Sequence, residues 1–153
     1  MTRINKVIST ILEYIIILVY IVLIVIGFAQ VVFRYVLHNS IFWSEEFLTY
    51  VFIWLVFLGA SLATRNRTHP AVDLLVIKCN KKIQLRLSIL CNIAIFIYSI
   101  IAVIYGFDLV NKAMSYSSAL LLPYKYVYLA LPIGSILIGF YTIINLIEDF
   151  TNI

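Results

Sequence analysis

The chain has 153 residues, of which 64% are hydrophobic and 12% charged. Soluble domains carry roughly 45–50% apolar and about 25% charged residues, so a chain this short and apolar cannot cover its surface with polar groups; a soluble globular domain is excluded and an integral membrane protein is expected. The net charge of +4 does not point to nucleic acid, because the basic residues gather in particular loops, as topology signals do.

Met1 to Glu13 is a short basic lead-in. Arg3 and Lys6 ahead of an apolar run resemble a signal peptide. The run is too long for an h-region and no clear small-x-small cleavage site follows it, so it reads as a retained first span. That span covers 14–35, with Gln30 its one strongly polar residue up to Phe33. As a helix it reaches about 30 Å, the thickness of the hydrocarbon core. Asn39 and Ser40 break the run. Ser44 is placed to cap the next helix, and Glu45 and Glu46 fall in its first turn, where the helix dipole favours carboxylates. The second span covers 44–63. Trp54 lies near its middle, away from either interface, and is expected to pack against another helix. Gly59 and Ala63, four apart, permit close helix approach.

The segment 64–86 is the most polar, carrying Arg65, Arg67, Lys78, Lys81, Lys82 and Arg86. Pro70 suits a first helical turn. Val72, Leu75, Val76, Cys79 and Ile83 then recur at helical spacing, with Asp73 and the lysines largely elsewhere. This predicts a short amphipathic helix lying in the interface. The third span covers 87–107, with Ser88, Asn92 and Ser99 as polar residues. A partly apolar loop follows, whose Tyr116, Tyr124 and Tyr126 suit the headgroup level. The fourth span covers 126–147. Pro132 within it removes a backbone donor and frees the carbonyl of Tyr128, which predicts a kink. Ala130 with Gly134, and Ser135 with Gly139, are small residues four apart on that helix. Cys79 and Cys91 have no CxxC or metal spacing and read as unpaired thiols.

Basic-residue asymmetry sets the expected orientation. Arg3, Lys6 and the six residues of the middle loop make eight of the eleven Lys and Arg, and that side should be cytoplasmic. Both termini then lie inside and the corner between the first two spans faces outward. The expected architecture is all-α, a single membrane domain of four transmembrane helices with an interfacial helix between the second and third.

The corner concentrates charge in a charge-poor chain. Arg34 with Glu45 or Glu46 can pair across the first two helices, or these residues with Trp43 can present a docking surface, or they can simply mark the ends of the spans. An ion-coupling role is disfavoured, because coupling charges normally sit at mid-depth. No ionisable residue lies deep in any span, and Gln30, Asn92 and Asn145 are expected to hydrogen-bond between helices. His38 and His69 lie outside the spans, where they cannot face one another across a haem, so no cofactor is expected. With no HExxH, GxSxG, CxxC or P-loop, and no His–Asp set for the serines, no enzymatic activity is expected. The basic middle loop can bind anionic phospholipid headgroups, act as a positive-inside signal, or do both.

Together these segments resemble the small membrane subunit of tripartite ATP-independent periplasmic (TRAP) transporters, the DctQ-like family. The matching pieces are FRYVL at 33–37 and S-x-x-W-S-E-E from Ser40 to Glu46. W-L-V-F-L-G-A follows from Trp54 to Ala60, then R-x-x-x-H-x-x-V-D as Arg65, His69, Val72 and Asp73. L-P-Y-K-Y-V-Y-L-A-L-P-I-G closes the set, from Leu122 to Gly134. Pro70 departs from the pattern, where an aliphatic residue is more usual.

The resemblance implies sodium-driven import of a small organic acid, of the dicarboxylate or sialic-acid type, across the bacterial inner membrane. It implies two protein partners: a periplasmic binding protein that delivers the solute, and a large elevator-type permease subunit that carries the substrate and sodium sites. This chain would brace the large subunit. Carried over by position, Arg34, Trp43, Glu45 and Glu46 match the family's outward corner, while Trp54, Gly59 and Ala60, with Pro132 and Gly134, match its helix-packing motifs. Arg65, His69 and Asp73 match its cytoplasmic motif, next to the headgroup-binding candidates Arg67, Lys81 and Lys82. Two other classes stay open. One is a self-contained four-helix transporter, for which Glu13 is the only candidate embedded carboxylate. The other is a membrane anchor or assembly subunit of an enzyme complex.

Overall fold

The computed structural model describes residues 3–66 and 81–151. These form five helices: α1 (Arg3–Tyr35), α2 (Ser44–Arg65), α3 (Lys81–Lys112), α4 (Lys125–Tyr128) and α5 (Ala130–Thr151). Four stretches among them are long and apolar enough to cross a membrane: Val7–Tyr35, Ser44–Arg65, Ile83–Lys112 and Lys125–Asp149. They correspond to the four predicted spans, but their ends differ. α1 begins at Arg3 rather than at the lead-in's end, because Val7, Ile8, Ile11 and Leu12 continue the apolar pattern and no Pro or Gly interrupts it. α3 takes in Lys81, Lys82, Ile83 and Arg86, which the sequence reading had placed in the interfacial segment. Pro70 to Cys79, the body of that expected interfacial helix, lies outside the described residues.

Two local expectations are corrected. Ser44 does not cap α2. The flanking residue is Trp43, which makes no side-chain cap, and Ser44 Oγ instead donates to the Ile41 carbonyl at 2.7 Å, closing the preceding turn. Pro132 interrupts the fourth span, but three residues earlier in the chain. The hydrogen-bond pattern breaks at Leu129, between α4 and α5, while the backbone there stays helical (φ −60°, ψ −23°). The missing proline N–H leaves the Tyr128 carbonyl without its i+4 donor, and the interruption falls there, one turn before the proline.

The helices stand in a row, in the order α1, α2, α5, α3, with α4 leading into α5. α1 runs along α2, touching α5 only through the side-chain cluster at its N-terminal half, and α5 is sandwiched between α2 and α3. A centre position demands small residues on two faces, and α5 supplies them: Ala130, Gly134, Ser135 and Gly139 are buried. A Cβ on Gly134 would come within 2.6 Å of Phe57 Cβ on α2, and one on Gly139 within 2.9 Å of Ser99 Oγ on α3. α3 answers with its own stripe, since Asn92, Ser99, Ala102 and Gly106 are buried at helical spacing. A Cβ on Gly106 would meet Pro132 Cδ at 3.0 Å. Such close approach is how helices associate where lipid removes the hydrophobic drive between them. The close contact expected at Gly59 is not made there, since a Cβ at Gly59 meets nothing within 4 Å.

One apolar cluster ties the row together. Leu12, Leu58 and Tyr141 are buried against each other, with Ile8, Ile16, Trp54, Leu137 and Ile144 packed around them. Elsewhere α1 is largely uncovered: Tyr14, Ile17, Leu18, Ile21, Ile24, Val25 and Phe28 are all exposed.

These contacts separate two glycines that look alike in sequence. Gly134→Ala should lower stability by about 1–3 kcal/mol, the cost of overpacking a tight contact, whereas Gly59→Ala should be neutral or slightly stabilising in the isolated chain. Thermal unfolding of both variants in detergent checks this, and equal melting temperatures would contradict the α2–α5 contact.

Candidate functional site

Two polar clusters close the row at its opposite ends. The first joins the α1–α2 corner to the loop before α4. α1 ends with Arg34 in its last turn and α2 starts with Glu45 and Glu46, so each charge opposes the nearby helix dipole. Consecutive helix positions are about 100° apart, and the two carboxylates therefore face different neighbours. Glu45 turns to α1: its Oε1 lies 3.7 Å from Arg34 Nη1 and accepts a long hydrogen bond of 3.4 Å from Gln30 Nε2. Arg34 and Glu45 side chains are 59% and 74% exposed, so this pair contributes little to stability, on the order of 0–1 kcal/mol.

Glu46 turns the other way. Its Oε2 accepts from the backbone N–H groups of Ala119 and Leu120, each at 2.9 Å, and its Oε1 accepts from Tyr50 OH at 2.8 Å. The loop it holds is folded back on itself: Ser117 N–H donates to the Leu122 carbonyl at 2.9 Å, and Tyr124 N–H to the Ser115 carbonyl at 3.1 Å. Leu121, at the tip, has φ 53°, a left-handed conformation that costs a non-glycine residue about 1–2 kcal/mol. The carboxylate clamp on the two preceding amides holds the loop in that shape. Tyr50 also meets the Tyr124 ring edge-on at 6.1 Å, and Tyr124 stacks on Tyr128. Trp43 sits apart from this cluster, partly exposed and edge-to-face with Phe47 at 6.0 Å.

The second cluster lies at the end holding both described termini. Arg65 Nη1, at the close of α2, donates to Glu13 Oε1 on α1 at 2.9 Å. Asn145 Nδ2 on α5 donates to the Thr64 carbonyl at 2.8 Å, in the last turn of α2. Asp149, 1% exposed, accepts from Ser88 Oγ at 2.8 Å and Asn92 Nδ2 at 3.0 Å on α3. All three intramembrane amides, Gln30, Asn92 and Asn145, thus bond to another helix.

Of the residues singled out from sequence, Arg34, Glu45 and Glu46 come together at one corner, but only Glu45 faces Arg34. Trp54 packs on the central cluster and Gly134 on Phe57, while Gly59 opens outward. Arg65 pairs with Glu13 rather than standing free for headgroups. Lys81 and Lys82 belong to the first turn of α3, and Arg67, His69 and Asp73 lie outside the described residues. Sequence reasoning missed Asp149, which falls just beyond the predicted fourth span. The signal was there in Ser88 and Asn92, one turn apart on the facing helix.

The family model for the DctQ component of tripartite ATP-independent periplasmic transporters matches residues 23–152. A Haemophilus influenzae protein described as a TRAP transporter small permease is 26% identical over 151 residues, covering 97% of this chain and 90% of that protein. The sialic acid TRAP transporter permease protein SiaT of Haemophilus influenzae is 29% identical over 113 residues, 73% of this chain and 18% of that protein. The isethionate TRAP transporter permease protein DctMQ of Oleidesulfovibrio alaskensis is 28% identical over 114 residues, 69% of this chain and 18% of that protein. The chain therefore spans about a fifth of the length of these two larger relatives.

The two adjacent carboxylates should behave differently. Glu46→Ala strands two loop amides and the Tyr50 hydroxyl, so hydrogen exchange at Ala119 and Leu120 should accelerate at least about tenfold, while Glu45→Ala should leave it unchanged. Equal exchange in the two variants would refute the clamp. At the other end, Asp149→Ala should destabilise the α3–α5 pair by about 1–3 kcal/mol, read as a lowered melting temperature in detergent.

Proposed function

Because the chain belongs to the DctQ component family of tripartite ATP-independent periplasmic transporters, we propose that it acts as a fixed brace for a larger permease subunit in sodium-driven uptake of a small organic acid. It is a multi-pass membrane protein and the small permease subunit of a transporter, not an enzyme.

The observation that carries the bracing role is the open row of helices. A self-contained transporter encloses a path, whereas this row leaves most of α1 exposed and the face of α2 around Gly59 unfilled. A row with a long uncovered apolar face on α1 is suited to lie against another membrane protein and brace it. In the two larger relatives, a segment like this chain is a minor part of a much longer permease protein, which supports a large permease partner here. The solute class rests on the names of those relatives, a sialic acid and an isethionate permease.

The ionisable groups fit the same division of labour. Glu13 and Arg65 neutralise each other, and Asp149 is engaged by Ser88 and Asn92 near the end of its span. An ion-coupling site needs carboxylates or unwound backbone at mid-depth, and that duty falls to the large subunit. We place this protein in the bacterial inner membrane with both termini cytoplasmic, following the positive-inside rule. The corner of Arg34, Trp43, Glu45 and Glu46 then faces the periplasm, where a solute-binding protein docks. Arg67, His69, Asp73, Lys81 and Lys82 lie on the side of the cytoplasmic headgroups.

Co-expression with a large TRAP permease subunit from the same organism, followed by reconstitution, tests this reading. The two proteins should co-purify, and uptake of an organic acid should require both of them, the periplasmic binding protein and an inward sodium gradient. Solute transport by this chain alone in liposomes would overturn the bracing role. Co-purification with a soluble catalytic subunit in place of a permease would favour the membrane-anchor alternative.

A further inference from the structure

The α1–α2 corner contains a feature that bracing does not use. A cavity of about 230 Å³ opens there, lined by Gln30, Arg34, Ser40, Ile41, Phe42 and Glu45. It holds one cation and one anion that face each other without closing. Arg34 Nη1 and Glu45 Oε1 stand 3.7 Å apart, whereas a closed guanidinium–carboxylate bond is about 2.7–2.9 Å. The Arg65–Glu13 pair of the same molecule does close, at 2.9 Å. Gln30 reaches Glu45 only at 3.4 Å. A guanidinium carries five N–H donors, and among the described residues Arg34 has only this slack pair and the Tyr35 ring at 5.9 Å. Both charges keep unused hydrogen-bonding capacity directed at one small space.

The cavity also sits at a particular depth. It lies where α1 ends and α2 begins, at the boundary of two membrane-length segments. At about 100° per residue, half-buried Leu23 and Ile26 continue the Gln30–Arg34 face of α1 toward the hydrocarbon, and Phe42 is exposed at the rim. A ligand there has a polar end in the cavity and an apolar track leading into the hydrocarbon. The charge pattern narrows its chemistry. A purely anionic headgroup would be repelled by Glu45, and a purely cationic one by Arg34. A headgroup with a phosphate and a primary ammonium satisfies both, with the ammonium able to donate to Glu45 and Ser40.

We propose that this corner cavity binds the headgroup of an aminophospholipid of the phosphatidylethanolamine type. The phosphate lies on Arg34 and Gln30, the ammonium on Glu45, and an acyl chain runs along Leu23 and Ile26 of α1. The site is independent of the bracing role and stands or falls without it.

Native mass spectrometry of the delipidated full chain tests the site, using phosphatidylethanolamine, phosphatidylcholine and phosphatidylglycerol with identical acyl chains. Phosphatidylethanolamine should be retained about fivefold more than phosphatidylglycerol, the size expected for one charge contact at a membrane surface. Phosphatidylcholine, which has no N–H to donate, should fall between them. Glu45→Gln should erase the preference for phosphatidylethanolamine over phosphatidylglycerol, and Arg34→Gln should weaken all three. Equal retention of phosphatidylethanolamine and phosphatidylglycerol by the unaltered chain would overturn the proposal, and this comparison needs no variant to fold. A preference that survives both substitutions would also overturn it. So would displacement of the lipid by equimolar O-phosphoethanolamine or inorganic phosphate, which would make the ligand a soluble anion.

Discussion

The close seating of α5 between α2 and α3 is the constraint on which the rest of this structure depends. Lipid offers no hydrophobic reward for bringing apolar helices together, so association rests on backbone proximity and on hydrogen bonds that have no water to compete with them. Gly134 lets α5 reach the backbone of Phe57, and Gly139 and Gly106 let α5 and α3 meet near Ser99 and Pro132. Once α5 takes the centre, α3 and α2 become its two flanks. α1, joined to α2 by a short corner, can only extend the row.

Each end of the row is then closed by side chains that satisfy backbone or buried polar groups of another element. Asn145 donates to a carbonyl in the last turn of α2, and Asp149 gathers two polar groups of α3. At the other end Glu46 takes two loop amides. These contacts work by preventing unsatisfied groups more than by their net attraction, since a stranded buried donor costs more than a typical hydrogen bond contributes. The exposed Arg34–Glu45 pair belongs to a different category. It is too open to hold the helices together, and its looseness is what leaves a polar space at the membrane boundary.

A row also has consequences for function that a closed bundle would not. It offers two broad apolar faces, with α1 exposed along most of its length and the Gly59 face of α2 unfilled. Among the described residues α1 and α3 stand apart, with α2 and α5 between them. The proposed bracing role rests on that arrangement.

The composition, four membrane-length runs and the order of short motifs were legible in the chain directly, because span length and apolarity are set by bilayer thickness and need no partner to be read. The family was legible for the same reason, its motifs being local. Glu46 shows where this stopped. Its position in a first helical turn was plain, yet its partners, Ala119 and Leu120, are more than seventy residues away in the chain. Gly59 and Gly134 both present small residues in an apolar helix, and only the neighbours of each decide that one is packed tight and the other open. Asp149 falls beyond the predicted fourth span, and only the seating of α3 against α5 gives it Ser88 and Asn92 as partners. The sequence by itself determined how many helices cross and where their charges fall along them. Tertiary structure alone decided which face each helix turns to which neighbour, because at a spacing of about 100° per residue that choice depends on contacts between helices distant in the chain.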